Sequence, residues 1–235
     1  MNIQYFEDKE QLAVNAANIV VGEIRKKPNL LLCAATGNTP RTTYQNIVKL
    51  LKTEEASNLK VLKLDEWGGI PMSQEGTCEH YLQQHLVKPL HISKERYFGF
   101  NSQPANPALE VERMQGILIK EKPIDVCILG LGANGHIAFN EPAEQLKPYC
   151  HIAQLSTKSL EHTMTQSMKE KPTYGLTLGM SDILHSRMII LLITGSHKKA
   201  ITKALLSKKI DTQIPASFLW LHPKVQCFID NTARE

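Results

Sequence analysis

The stretch Ile124–Pro142, IDVCILGLGANGHIAFNEP, decides how this chain reads. Val126-Cys127-Ile128-Leu129 is a short continuous apolar run, the pattern of a strand covered on both faces in a parallel sheet. Gly130, Gly132 and Gly135 follow, so the backbone behind the strand can turn tightly and approach a ligand with no Cβ in the way. Asn134, His136, Asn140 and Glu141 crowd into the same connection. In open α/β sheets ligands bind beyond the carboxyl ends of the strands, which is where these polar groups fall. Taken singly, a loop histidine is most often a surface or hydrogen-bonded structural residue, and a glutamate before proline often only begins a helix. Together they read as an active site, because an ordinary turn has no need of three glycines leading into a histidine. As a dinucleotide fingerprint the spacing is weak: no ribose-binding residue follows at the usual interval, and the motif lies far from the chain start.

Upstream, Leu30–Ala34 is a second buried-strand pattern, running into Thr36-Gly37-Asn38-Thr39-Pro40. Pro40 suits the first turn of a helix that continues through Tyr44, Ile47, Val48 and Leu51. A small-residue loop at a helix N-terminus exposes backbone N–H groups and favours an anion. The same residues also suit a plain connection capped by Thr or Asn, and the local pattern leaves both open. Leu59–Leu64 reads as a strand ending in Asp65-Glu66-Trp67-Gly68-Gly69. An aspartate there most often forms a turn or caps a helix. This acid pair, however, meets an aromatic ring and two glycines at the same predicted sheet edge as His136, which makes Asp65 a candidate general base.

Downstream, Met188–Ile193 reads as a buried strand ending in Thr194-Gly195-Ser196-His197-Lys198, with a helix behind it through Ala200, Ile201, Ala204 and Leu205. Lys198 then falls in a first helical turn, where the helix dipole disfavours a cation unless an anion compensates. A solvated lysine is the plainer alternative.

The remaining segments continue the alternation. Asn2–Phe6 suits an edge strand, and Asp8 an N-cap for a helix through Leu12, Ala16, Ile19, Val20 and Ile24 that Pro28 closes. Thr77–Lys88 and Ala108–Ile119 read as helices, with a Pro/Asn linker at Ser102–Pro107. Glu144–Cys150 reads as a loop, His151–Leu155 as a short strand, and Ser156–Lys169 as a polar helix containing Lys158 and His162. Residues 144–170 are the expected mobile lid, since segments beside a site are often its moving part. Tyr174–Leu178 and Val225–Ile229 supply further strands, Gly179–Leu184 a short turn or helix, and Ile214–Leu221 a helix-like segment. This order predicts one α/β domain over residues 1–235: three layers, doubly wound, with a mostly parallel sheet and helices on both faces.

Composition narrows the functional classes. At 235 residues the chain is long enough for one well-filled core, and 42% hydrophobic with 21% charged residues is ordinary for a globular enzyme. A net charge of +4, scattered along the chain, does not point to a nucleic-acid partner and suits a small anionic substrate as well. No apolar run reaches membrane-spanning length, and the N-terminal residues lack a signal-peptide pattern. The five cysteines (Cys33, Cys78, Cys127, Cys150, Cys227) are odd in number and show no Cys-x-x-Cys pairing. Three lie in apolar strand-like runs, where cysteine behaves as a small hydrophobe, which points to a reducing cytoplasm without disulfides or a metal site.

Four blocks then resemble one superfamily over nearly the full length: ATGNTP (Ala35–Pro40), LDEWGGIP (Leu64–Pro71), GLGANGHIAFNEP (Gly130–Pro142) and TGSHK (Thr194–Lys198). They are similar to the glucosamine-6-phosphate deaminase / 6-phosphogluconolactonase superfamily. Its lactonases follow the histidine with Thr-Ala-Ser-Leu-Phe, whereas Ile-Ala-Phe-Asn-Glu-Pro after His136 looks like the deaminase branch. LDEW, GTCE (Gly76–Glu79) and PASFLWLHPK (Pro215–Lys224) look closer to galactosamine-6-phosphate deaminase/isomerase enzymes.

The resemblance implies the NagB/RpiA/CoA transferase-like fold and, as substrate, a 2-amino-2-deoxyhexose 6-phosphate, converted with no metal or organic cofactor. Galactosamine 6-phosphate is favoured, giving tagatose 6-phosphate and ammonia; glucosamine 6-phosphate giving fructose 6-phosphate is the alternative. It further implies that His136, oriented by Glu141 and Asn134, moves a proton at the ring oxygen, and that Asp65 moves the C2 proton to C1. Thr36, Gly37, Asn38, Thr39 and Lys198 would hold the phosphate, with Glu66 and Gly135 also contacting substrate. Two further readings stay open: a lactonase, and a sugar-phosphate-binding module without chemistry.

Three departures from the family pattern bear on the transfer. Asn134 stands where well-studied deaminases often carry Asp, and an amide can orient an imidazole but accepts no proton. His151 and Ala153 occupy the places of the Arg and Lys of allosteric members. Glu161–Met168 contains none of the lid arginine that binds phosphate in those enzymes. With only a short stretch after Ile229, the expectation is a non-allosteric monomer or small homo-oligomer.

Overall fold

The structure, a computed structural model, describes residues 1–121, 123–156, 160, 163–166 and 168–234. Seven strands form one parallel sheet: β1 (Asn2–Phe6), β2 (Leu31–Ala34), β3 (Lys60–Lys63), β5 (Tyr97–Phe98), β6 (Val126–Gly130), β9 (Met188–Ile193) and β10 (Val225–Asp230). Their spatial order is β1-β10-β9-β6-β2-β3-β5. The chain grows from β2 out to β3 and β5, then returns to the other side of β2 and grows through β6, β9 and β10. That reversal leaves a crevice between β2 and β6 at the carboxyl edge, where doubly wound folds bind ligands.

The continuous apolar runs are buried on both faces because alternate side chains enter different cores. Leu32, Ala34, Val126, Ile128, Ile190 and Leu192 pack on one face with Leu12, Val20 and Ile24 of α1 (Lys9–Lys26) and Tyr44 and Ile47 of α2 (Asn38–Leu50). Leu31, Cys33, Cys127, Leu129, Ile189 and Leu191 pack on the other with Met114 and Leu118 of α4 (Pro107–Glu121). All five cysteines are buried and free, three of them within β2, β6 and β10. Asp8 caps α1 as expected, its Oδ1 accepting the Gln11 N–H at 2.8 Å. Among the described residues no helix is long and apolar enough to cross a membrane.

The largest departure from the expected layout lies after β3. The strand predicted to run through Leu64 ends at Lys63, and the chain turns there into β4 (Asp65–Gly68). With β7 (His151–Ala153) and β8 (Tyr174–Thr177), β4 makes a separate antiparallel sheet in the order β4-β8-β7. Asp65 therefore opens a second strand instead of closing the first. The Leu64 linkage is fixed on both sides: its N–H donates to Ala34 O at 3.2 Å, and its carbonyl accepts the Leu178 N–H at 3.1 Å.

Smaller corrections concern helices. Thr77–Lys88 divides into α3 (Cys78–Leu82) and a π turn at Gln83–Val87. Pro215–Leu221 is a 3-10 segment. Within the predicted Ser156–Lys169 helix the structure describes a short helix α5, Thr163–Gln166, and Lys158 and His162 lie outside the described residues. Two further helices, α6 (Met180–Leu184) and α7 (Lys199–Leu206), flank β9.

Candidate active site

A cavity of about 650 Å³ opens beyond the carboxyl edge of the parallel sheet. The connections after β2, β6 and β9 all contribute to its wall, as does the start of β4. Asp65, Asn134, His136, Thr36, Gly37, Asn38, Thr39 and Lys198 line this one space, although they are spread across more than half of the chain.

Asp65 is a buried acid of the cavity wall, 8% exposed. Burial, with the adjacent Glu66 carboxylate adding to it, pushes its carboxyl up to about 7, while the Cys78 thiol and the Lys63 ammonium pull the other way. A carboxylate poised near neutrality is suited to taking a proton from carbon, since it is ionised at working pH yet basic enough to act.

His136 sits in a turn that its own sequence explains. The Gly132 N–H donates to His136 O at 2.9 Å and the Gly135 N–H to Gly132 O at 3.0 Å. The imidazole lies against Gly132 so closely that a Cβ there would stand 2.4 Å from Cδ2 and 2.5 Å from Cε1. Asn134 ties the turn together: Oδ1 accepts the His136 N–H at 3.2 Å, and Nδ2 donates to Glu141 Oε2 at 2.8 Å. The same Glu141 oxygen stands 3.5 Å from His136 Nδ1. That is an electrostatic contact longer than a closed hydrogen bond, and Nδ1 makes no hydrogen bond among the described residues. Glu141 thus faces Nδ1 from behind, leaving Nε2 as the ring nitrogen available to a ligand in the cavity.

The next turn is strained. Ala138, also on the cavity wall, has φ +51°, a left-handed conformation that costs a non-glycine residue on the order of 1 kcal/mol. Asn140 holds it, its Nδ2 donating to Ile137 O at 3.0 Å and Leu178 O at 2.9 Å.

The same wall holds a helix N-terminus, a geometry suited to an anion. Helix α2 begins after Gly37, whose φ of +104° turns the chain sharply, and no side chain caps this helix. Its first N–H groups, which have no intrahelical acceptor, therefore face the cavity uncovered by a side-chain cap. The loop after β9 comes alongside: the Thr39 and Thr194 hydroxyls are 3.2 Å apart, and the Gly195 N–H donates to Asp230 Oδ2 at 3.2 Å. Lys198 ends this loop in a 3-10 turn just ahead of α7. Burial pushes its ammonium down to about 8, and no carboxylate pairs with it among the described residues.

Two expected contacts are not made. Glu66 is wholly buried and absent from the cavity wall: Oε2 accepts the Lys63 ammonium at 2.7 Å and the Glu79 N–H at 2.8 Å, and Oε1 accepts the Trp67 and Cys78 N–H groups. It is a structural anchor, because the side chain next to Asp65 on a strand must point the other way. Gly135 shapes the turn (φ +88°) and lies off the cavity wall: a Cβ there would stand 2.9 Å from Ile214 Cγ2 and 3.1 Å from Ile201 Cδ1. Sequence reasoning in turn missed Asp8, Trp67, Phe139, Met164, His197, Asp230 and Thr232, which complete the wall. Trp67 and Phe139 meet there with their rings tilted by 54° and their centroids 4.5 Å apart. Trp67, Phe139 and His197 lie inside the quoted sequence blocks, whereas Asp8, Met164, Asp230 and Thr232 have no motif around them and are brought in by topology.

Residues 7–228 match the family of glucosamine-6-phosphate isomerases/6-phosphogluconolactonase. The chain is 41% identical over 230 residues to the Escherichia coli (strain K12) protein named "Putative deaminase AgaI", covering 97% of this chain and 91% of that one. It is 36% identical over 239 residues to the glucosamine-6-phosphate deaminase of Bacillus pumilus (strain SAFR-032), covering 99% and 98%. A solved structure of a monomeric glucosamine-6-phosphate deaminase, described as a missing link of the NagB superfamily, superposes with a TM-score of 0.92 at 31% identity, covering 99% of this chain and 98% of that one. The chain therefore belongs to the glucosamine-6-phosphate isomerase/6-phosphogluconolactonase family.

Proposed function

We propose that the protein deaminates and isomerises a 2-amino-2-deoxyhexose 6-phosphate, releasing ammonia and a ketose 6-phosphate. The observation that carries this reading is the pairing, in one cavity, of a buried acid poised near neutrality with an imidazole backed by a carboxylate, beside a seat for an anion. The substrate phosphate, with about −1.5 to −2 charges, rests on the N-terminus of α2 and meets Lys198. His136 moves a proton at the ring oxygen as the sugar opens to the aldehyde. Asp65 then removes the C2 proton while a proton of the 2-ammonium group passes to O1, leaving an enolamine, and returns its proton to C1. The C2 iminium so formed adds water and expels ammonia, so one aldosamine phosphate and one water give one ketose phosphate and one ammonia. Asn134 and Glu141 orient the imidazole without entering the proton path. Residues 144–170 act as the lid, with Met164 reaching the cavity wall.

Galactosamine 6-phosphate, giving tagatose 6-phosphate, is the favoured substrate from the LDEW, GTCE and PASFLWLHPK blocks. Glucosamine 6-phosphate, giving fructose 6-phosphate, is the second reading, favoured by the named deaminases among the relatives. As a working state we take a monomer or small homo-oligomer. The test is a parallel assay of both amino-sugar phosphates and 6-phosphogluconolactone. Ammonia with ketose phosphate from either amino sugar supports the reading, and the faster epimer names the substrate. Lactone hydrolysis without ammonia release favours a lactonase, and tight capture of sugar phosphate without product favours a binding module.

A further inference from the structure

We propose that Cys78 is a positioning residue for the reaction: its thiol donates to the Asp65 carboxylate and is held in place by the Thr36 hydroxyl. The Thr36 hydroxyl donates to Cys78 Sγ at 3.3 Å, and Cys78 Sγ stands 3.6 Å from Asp65 Oδ1. One sulfur atom thus joins the loop that seats the anion to the acid that moves the proton. This inference rests on the reading of Asp65 as the base.

The surroundings leave the sulfur little freedom. Cys78 is 1% exposed and opens helix α3, with Thr77 as N-cap accepting the His80 N–H at 3.0 Å. Glu66 accepts the Cys78 N–H at 2.9 Å and the Glu79 N–H at 2.8 Å, so the backbone behind the thiol is pinned from β4. Burial together with the nearby Glu66 and Asp65 carboxylates pushes the Cys78 thiol well up. The sulfur therefore keeps its proton, and with Thr36 donating to its lone pair its S–H is the group left to face Asp65. A hydrogen bond to the ionised form of an acid favours that form. The thiol thereby offsets part of what burial and Glu66 do to Asp65. The other groups around Asp65 are Lys63 from β3, Glu66 from β4, Cys33 from β2 and Tyr44 from α2, with His136 and Lys198 across the cavity. None of them changes in a Cys78 variant.

The test compares kcat/KM against pH for the wild type, Cys78→Ala and Cys78→Ser with the better amino-sugar phosphate. Loss of the donor in Cys78→Ala moves the acid limb up by about half a pH unit, and Cys78→Ser, which keeps an O–H on the same Cβ, lies closer to the wild type. A lower plateau with an unmoved limb, or equal shifts in both variants, overturns the proposal, because loss of packing alone does that. A second readout needs no turnover: the S–H stretching component of Cys78, identified by its loss in Cys78→Ala, moves as Asp65 titrates in the wild type and is still in Asp65→Asn. No such movement also overturns it. A wild type with no activity on either amino sugar sinks the functional reading instead, and the infrared titration still decides the Cys78–Asp65 contact.

Discussion

Asp65 and Glu66, neighbours on β4, serve opposite sides of the strand: Asp65 lines the cavity, while Glu66 is wholly buried with its Oε2 2.7 Å from the Lys63 ammonium. Lys63 also pairs with Glu79 at 2.8 Å, and Glu79 accepts the Tyr97 hydroxyl at 2.8 Å. This network ties β3, β4, β5 and α3 together directly behind the proposed base. Removing one partner from a buried ion pair leaves the other charge uncompensated, at a cost of about 3–5 kcal/mol. Lys63→Met, which strands both carboxylates, should lower the unfolding free energy by that order in urea titrations; Glu66→Ala, which leaves Lys63 its Glu79 partner but orphans the Trp67, Cys78 and Glu79 N–H groups, should lower it by less. A change below about 1 kcal/mol would mean that the network carries no such weight.

Gly132 predicts a separable effect. A methyl group at that position would overlap the His136 ring, and the imidazole, which is partly exposed, must swing aside. Gly132→Ala should lower turnover by about 10²-fold, the scale of a misplacement near 1 Å, with thermal stability nearly unchanged. Steady-state kinetics with a melting curve on the same preparation checks this.

The pH profile follows from two groups. Asp65 must be ionised to accept a proton, and it gains its proton as pH falls through about 7. On the proposed reading Lys198 holds the phosphate in its charged form, and in the empty enzyme it loses its proton as pH rises through about 8. The profile of kcat/KM should therefore be a narrow bell between those values. Lys198→Met should raise KM and abolish the alkaline limb while leaving the acid limb in place. An acid limb near the ordinary carboxylate range would show that Asp65 is not the titrating group.

Asp65 also links stability to pH. Its folded pKa is raised above the ordinary 3.8, so its contribution is fully present below pH 4 and is lost as pH rises through about 7. Asp65→Asn removes that dependence. The variant should melt above the wild type at pH 8 and should lose the advantage near pH 4, with each 1 kcal/mol worth about 2–4 °C in a chain of this length. Equal melting temperatures at both pH values would contradict the burial of this charge.

Much of this was legible in the sequence, for identifiable reasons. The runs at Leu31–Ala34, Val126–Leu129 and Met188–Ile193 are apolar at every position because both faces of a parallel sheet are covered, and that pattern is local. The loops that follow them could be placed at one edge, so His136, Asn134, Thr36–Thr39 and Lys198 were found together. The break at Leu64 was not legible: Lys60–Trp67 holds no glycine or proline to mark it, and only pairing with Tyr174–Thr177, far along the chain, shows where one strand ends and the next begins. For the same reason, both adjacent carboxylates were expected at the substrate until the pleat separated them. Asp230 ends the last strand and Thr232 follows it, with no motif of their own, and they reach the cavity because β10 lies beside β9.

The central claim is that Asp65 moves the carbon-bound proton of an amino-sugar phosphate held opposite His136. It is tested most directly by measuring ammonia release and substrate binding side by side for the wild type and Asp65→Asn. The account predicts that the variant still binds the amino-sugar phosphate, with turnover reduced by about 10³-fold or more, in line with the loss of a positioned general base. Wild-type turnover in Asp65→Asn would contradict it.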